Sequence, residues 1–117
     1  MKKMDGLELV AFNIISTVGT AKSKLMESMA CARNGQFTEA EALIGEANEA
    51  LQAGEKEHFT VITKEAKEKN IELTLLFMHA EDQLMTTVVL RDLANELVEM
   101  NKNIYLLKNK VEALEKQ

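Results

Sequence analysis

The sequence predicts an all-α protein, a three-helix up-down-up bundle. Three observations lead there. Proline is absent and glycine occurs only five times, while aromatic residues make up 4% of the chain. The bulk is Ala, Leu, Glu, Lys and Met, strong helix formers with little to interrupt them, so few and long helices follow. Apolar residues recur at spacings of three and four, and no alternating runs are joined by a tight turn. At 117 residues the chain has room for one modest core, so residues 1–117 are expected to form a single domain.

The first helix is expected from near Asp5 to Arg33. Leu7, Ala11, Ile14, Val18, Ala21, Leu25, Ser28 and Ala32 keep a 4-3-4-3 rhythm, the seam of a bundle helix. Gly19 interrupts it at a cost of about 1 kcal/mol relative to Ala. Two readings remain open: close approach of a neighbouring helix, or room for a substrate group near His79. Asn34-Gly35 ends the helix, because Gly accepts the left-handed conformation there and Arg33 suits the negative end of the dipole.

The second helix is expected from about Glu39 to Ala66 or slightly beyond. Thr38 is its predicted cap, with Glu41 completing a capping box. The short connection makes the first two helices antiparallel neighbours. Ala40, Ile44, Ala47, Leu51, Gly54, His58 and Val61 form its inward stripe, on which His58 reads as a core or boundary residue or as a chemical group. Lys67-Glu68-Lys69-Asn70 reads as a solvated connection.

The third helix is expected from Leu73 or Thr74 to the end. At a helical period Leu75, Met78, Asp82, Met85 and Val89 form one stripe, and His79, Gln83, Thr86, Leu90 and Leu93 form its neighbour. A helix apolar on most of its circumference is buried on all sides. Two companions cannot surround it, so burial between subunits is expected. Further on, Leu93, Leu97, Met100, Ile104, Leu107, Val111 and Leu114 make a heptad-like seam. Residues from about 103 to 117 are expected to form a helical C-terminal extension that pairs with its own copies; a frayed tail is the alternative.

A net charge of −5 leaves no basic face for nucleic acid. No apolar run approaches the roughly 20 residues of a membrane span, so direct membrane insertion is not expected. One cysteine, Cys31, excludes an internal disulfide framework and fits a reducing cytoplasm. It reads as a small core residue. NGQFTEAEALIGEANEAL has the ring of a helical repeat, but no second copy follows at a spacing of about 34 residues.

The chemistry concentrates in LTLLFMHAEDQLMTTVVLRDL, where His79, Glu81, Asp82 and Gln83 interrupt the most apolar run of the chain. Burial of such groups costs several kcal/mol unless each has a partner. A zinc site wants a cluster of His, Cys or acidic ligands, and Gln83 is a poor one. The paired Glu-x-x-His of di-iron bundles is absent. Neither a nucleophile-elbow serine nor a glycine-rich phosphate cradle is present. Two readings remain for His79: a structural imidazole, or a nucleophile that takes up and releases a phosphoryl group.

The segment MHAEDQLMTTVVLRDL resembles the active-site signature of the lactose/cellobiose-type enzyme IIA components of the sugar phosphotransferase system, roughly His-Ala/Gly-Gln-Asp-His-Leu-Met-Thr. VGTAKSKLMESMACARNGQFTEAEALIGEANEAL and the Lys64-Glu65-Ala66 end of the second helix are also similar, so the resemblance covers about residues 7 to 100. It implies that His79 is the phosphorylated residue, charged by the histidine phosphocarrier protein and discharged to a cysteine of the cognate IIB component, in uptake of a β-linked disaccharide. It implies a parallel homotrimer in which copies of Asp82 meet on the axis and bind a metal ion. A hard cation such as Mg²⁺ suits such oxygen ligands. The signature departs from the family at Glu81, where Gln is usual, and at Gln83, where a second His is usual. Glu81 adds a negative charge beside His79, whereas Gln83 can donate a hydrogen bond to a phosphoryl oxygen or hold the imidazole. The alternative expectation is a trimeric helical scaffold without phosphoryl transfer, or a diverged, inactive family member.

Overall fold

A computed structural model describes residues 6–69 and 71–117. They form α1 (Leu7–Arg33), α2 (Phe37–Glu68) and α3 (Leu75–Glu115). The expected helical start near Asp5 lies outside the described residues. Gly6, in the left-handed region at φ 77°, precedes the first turn of α1. The eight buried residues of α1 are the eight of the predicted seam, from Leu7 to Ala32.

The turn after α1 explains where α2 begins. Gly35 has φ 80°, its N–H donates to the Ala32 carbonyl at 3.1 Å, and the Gln36 N–H donates to the Cys31 carbonyl at 2.9 Å. This is a glycine-closed helix end that satisfies carbonyls left free by the last turn. Gln36 already stands as the residue before α2, and no side chain caps the helix there. The predicted Thr38 capping box is therefore not formed, and Thr38 lies inside the first turn. Phe37 packs edge-on against Tyr105, with ring centroids 5.4 Å apart, which fixes the start of α2 against α3.

α2 ends slightly beyond Ala66, as expected, but takes in Lys67 and Glu68 from the expected connection and closes with Lys69 at φ 59°. Thr74 then caps α3, its hydroxyl accepting from the Phe77 N–H at 3.1 Å. Polar contacts fix the up-down-up order along the bundle. Lys24 of α1 meets Glu46 of α2 at 3.0 Å. Arg91 of α3 donates to Asn48 of α2 at 3.1 Å, and the Tyr105 hydroxyl donates to the Arg33 carbonyl at 3.4 Å. Near the far end Lys102 pairs with Glu41. That hydrogen bond raises the ammonium pKa above its ordinary value, with burial opposing and Glu99 reinforcing. In water such a pair adds little stability.

α3 carries two apolar faces rather than one continuous girdle. Phe77, Ala80, Leu84, Thr87, Ala94 and Val98 face the core. The stripe Leu75, Met78, Met85 and Val89 and the seam Leu93, Leu97, Met100, Ile104, Leu107, Val111 and Leu114 face outward, each between 38% and 81% exposed. The expected burial of α3 on all sides is thus not met within the chain: α1 and α2 cover one face and leave the other bare. Gly54 marks the closest approach at mid-bundle. A Cβ there would stand 3.4 Å from Leu84 Cδ1 and from Thr17 Oγ1. Gly19 has nothing within 4 Å of such a position among the described residues, so no helix of the same chain explains it. Cys31 is partly buried and packs against the core.

Candidate functional site: a surface imidazole on the third helix

His79 lies in the second turn of α3, and its position follows from the cap. Thr74 sets the helix start, and the inward residues Phe77 and Ala80 fix the rotation. The intervening positions Met78 and His79 are thereby turned to solvent, and both are exposed. Asp82 is exposed as well, while Gln83 and Glu81 are half-buried. The imidazole and the Asp82 carboxylate therefore lie outside the core of the chain, on the surface for which burial between subunits was expected. They stand in or beside the bare face of α3.

His79 and Gln83 are one helical turn apart, where side chains are neighbours on a helix surface. Asp82 sits within the outward stripe, between Met78 and Met85, and its carbonyl accepts from the Thr86 hydroxyl at 2.9 Å. The Gln83 carbonyl shares the same hydroxyl at 3.1 Å. Asp82 supplies one carboxylate. Among the described residues no group of three His, Cys, Asp or Glu side chains is placed to hold a metal ion within one chain.

The second histidine has a different fate. His58 of α2 reaches across to α3, where its Nδ1 pairs with Oε2 of Glu81. The side chains are 29% and 19% exposed, yet the two facing atoms are sealed from solvent and neither has a hydrogen-bond partner among the described residues; the contact is an ion pair. Sequence reasoning placed His58 on the inward stripe and Glu81 beside His79 without joining them. The joining signal was the antiparallel register, in which Gly54 packs on Leu84 and His58 therefore falls level with Glu81.

Fold and site define an all-helical bundle that presents its chemically capable side chains on the surface of its longest helix. The family model described as "PTS system, Lactose/Cellobiose specific IIA subunit" matches residues 9–102. The chain is 37% identical over 98 residues to a lactose-specific EIIA component of Staphylococcus epidermidis, covering 84% of this chain and 94% of that protein. The crystal structure of a cellobiose-specific enzyme IIA from Bacillus anthracis superposes with a TM-score of 0.83 at 29% identity, over 88% of this chain and 94% of that one. A solution structure of a IIA(Chitobiose)–HPr complex gives a TM-score of 0.77 at 26% identity, over 87% and 99%. The chain belongs to the lactose/cellobiose-specific IIA family of the sugar phosphotransferase system, and its function is that of a IIA component of this system. Among the described residues no helix is long and apolar enough to cross a membrane.

Proposed function

We propose that the protein is a phosphoryl carrier that works through His79. It accepts the group from the histidine phosphocarrier protein and hands it to a cysteine of the cognate IIB component, in uptake of a β-linked disaccharide of the lactose, cellobiose or chitobiose class. One observation carries the assignment. The chain has two histidines; His58 is tied to Glu81, whereas His79 is exposed in the segment that resembles the family signature. A relative of similar fold was solved in complex with HPr, which supports the same donor here.

In the first step a ring nitrogen of His79 attacks phosphorus in line. The new N–P bond forms as the donor's N–P bond breaks, and the donor imidazole leaves. In the second step a thiolate forms an S–P bond and the His79 imidazole departs. Both steps need open access to residue 79, which is exposed beside the stripe that carries Asp82. Gln83, one turn on, is the supporting donor to a phosphoryl oxygen.

The bare face of α3 supports a parallel homotrimer about that helix. Each large apolar side chain taken from water contributes about 1.5–3 kcal/mol when fully buried, and the seam from Leu93 to Leu114 has the heptad spacing of a self-associating helix. In that assembly three copies of Asp82 would face one another and hold one Mg²⁺. The residues fit such an ion: one carboxylate per chain, exposed within an apolar stripe, becomes a set of hard oxygen ligands only when copies meet.

Incubation with phosphoenolpyruvate and the two general phosphotransferase proteins tests the reading. Acid-labile, base-stable incorporation that disappears in His79→Gln is the expected result. A wild-type protein that takes up no phosphate would instead be a helical scaffold.

A further inference from the structure

We propose that His58 is a positioning residue for phosphoryl transfer at His79: it pins the Glu81 carboxylate against α2 and keeps that charge away from the incoming group. The inference rests on the carrier reading above. Glu81 and His79 are two residues apart on α3, so their side chains leave the helix in different directions. His79 points to solvent and Glu81 toward α2, where Nδ1 of His58 meets its Oε2.

The burial of this contact gives it meaning. Both atoms are shielded from water and neither has a hydrogen-bond partner among the described residues, so each has only the other group of the ion pair to offset its loss of water. Without His58 the carboxylate would be left unpaired at the edge of the core. A glutamate has three side-chain torsions, and the released group would turn toward water on the surface that His79 shares. There it would meet a phosphoryl group carrying close to two negative charges, on a chain whose net charge is already −5. The contact also fastens α2 to the turn of α3 that presents His79. The bridge thus answers two needs, a fixed platform and a neutral approach, and it accounts for a glutamate so near the site.

Transfer kinetics separate this from simple cross-bracing. Phosphorylation by the phosphocarrier protein is followed in wild-type protein, His58→Ala and His58→Ala/Glu81→Gln, with thermal melts by circular dichroism alongside; His58→Ser offers a second, polar way of cutting the contact. His58→Ala is expected to slow transfer at saturating carrier by about tenfold, the scale of one unscreened like charge roughly one helical turn away. Its KM should stay within about twofold, and the defect should shrink as salt is added. The double variant has no bridge either, yet it should recover most of the wild-type rate because the loose charge is gone. Equal rates in wild type and His58→Ala overturn the proposal. So does a double variant as slow as the single one, which would make the bridge structural only. Wild-type protein that takes up no phosphate at all would instead overturn the carrier reading, and this inference with it.

Discussion

Glycine does opposite things at three places in this chain, and the differences are measurable. Gly35 needs its left-handed backbone, and a Cβ there would lie 2.7 Å from Tyr105 Cε1. Gly35→Ala should therefore destabilise by more than about 1 kcal/mol, through strain and displacement of the ring. Gly54 is helical, and an added methyl would meet Leu84 and Thr17 at ordinary contact distance. Gly54→Ala should be neutral or stabilising by up to about 1 kcal/mol, the helix-propensity difference. Gly19→Ala should raise stability by a similar amount if open solvent surrounds it in the assembly as it does in the chain. Chemical denaturation of the three variants checks all three signs, and a destabilised Gly19→Ala would mean that another molecule covers α1 at that point. The role of Gly35 was legible in the sequence, since Asn-Gly after a long amphipathic run has few other readings. The close packing at Gly54 was legible only as a small residue on an inward stripe. Its true neighbours depend on the offset between α2 and α3, which no periodicity records. The same offset hid the His58–Glu81 contact.

Among the elements, α3 shows most clearly what an apolar pattern leaves undecided. The seam of α1 could be read residue by residue, because one partner surface dictates one stripe. α3 serves two surfaces, and its core face (Phe77, Ala80, Leu84, Thr87) is interleaved with an outward face (Leu75, Met78, Met85, Val89). Spacing shows that both are apolar and cannot say which partner each one meets. The outward face continues past the region that the family model matches, which ends at residue 102, while α3 runs on to Glu115. We propose that residues 103–117 form a helical extension that lengthens the seam between copies. Ile104, Leu107, Val111 and Leu114 lie on it, and all are exposed in the single chain. In a parallel arrangement Lys110 and Glu115 flank the seam at positions that bring opposite charges together between neighbours. Replacing Leu107 and Val111 by Ser should weaken association by about 1.5–3 kcal/mol for each apolar side chain removed from a fully buried place, summed over the copies. Light scattering across a dilution series would read this as dissociation at higher protein concentration. An unchanged midpoint would mean that the tail stands free of its copies.

At the scale of the molecule the chain is a rod, 74 × 19 × 18 Å, with one side of its longest helix uncovered. A rod of this kind gains most by pairing lengthwise, since the apolar stripe and the heptad seam lie on a single helix. Asp82 is the one acidic side chain in the outward stripe between Leu75 and Val89, and it sets the sharpest test of that assembly. Three such carboxylates brought together in an apolar seam repel one another and lose their water. A divalent ion relieves this, and replacing a buried charge cluster with apolar side chains is often stabilising by about 1–4 kcal/mol. Asp82→Leu should therefore lose bound metal, measured by elemental analysis after gel filtration. The same variant should keep the mass of the assembly in light scattering and melt at an equal or higher temperature. Removal of the ion from wild-type protein with a chelator should do the reverse, lowering the melting temperature while leaving Asp82→Leu unaffected. If Asp82→Leu fell apart into single subunits, the carboxylate would have to be making a specific contact off the axis, and the outward face of α3 would need a different partner from a copy of itself.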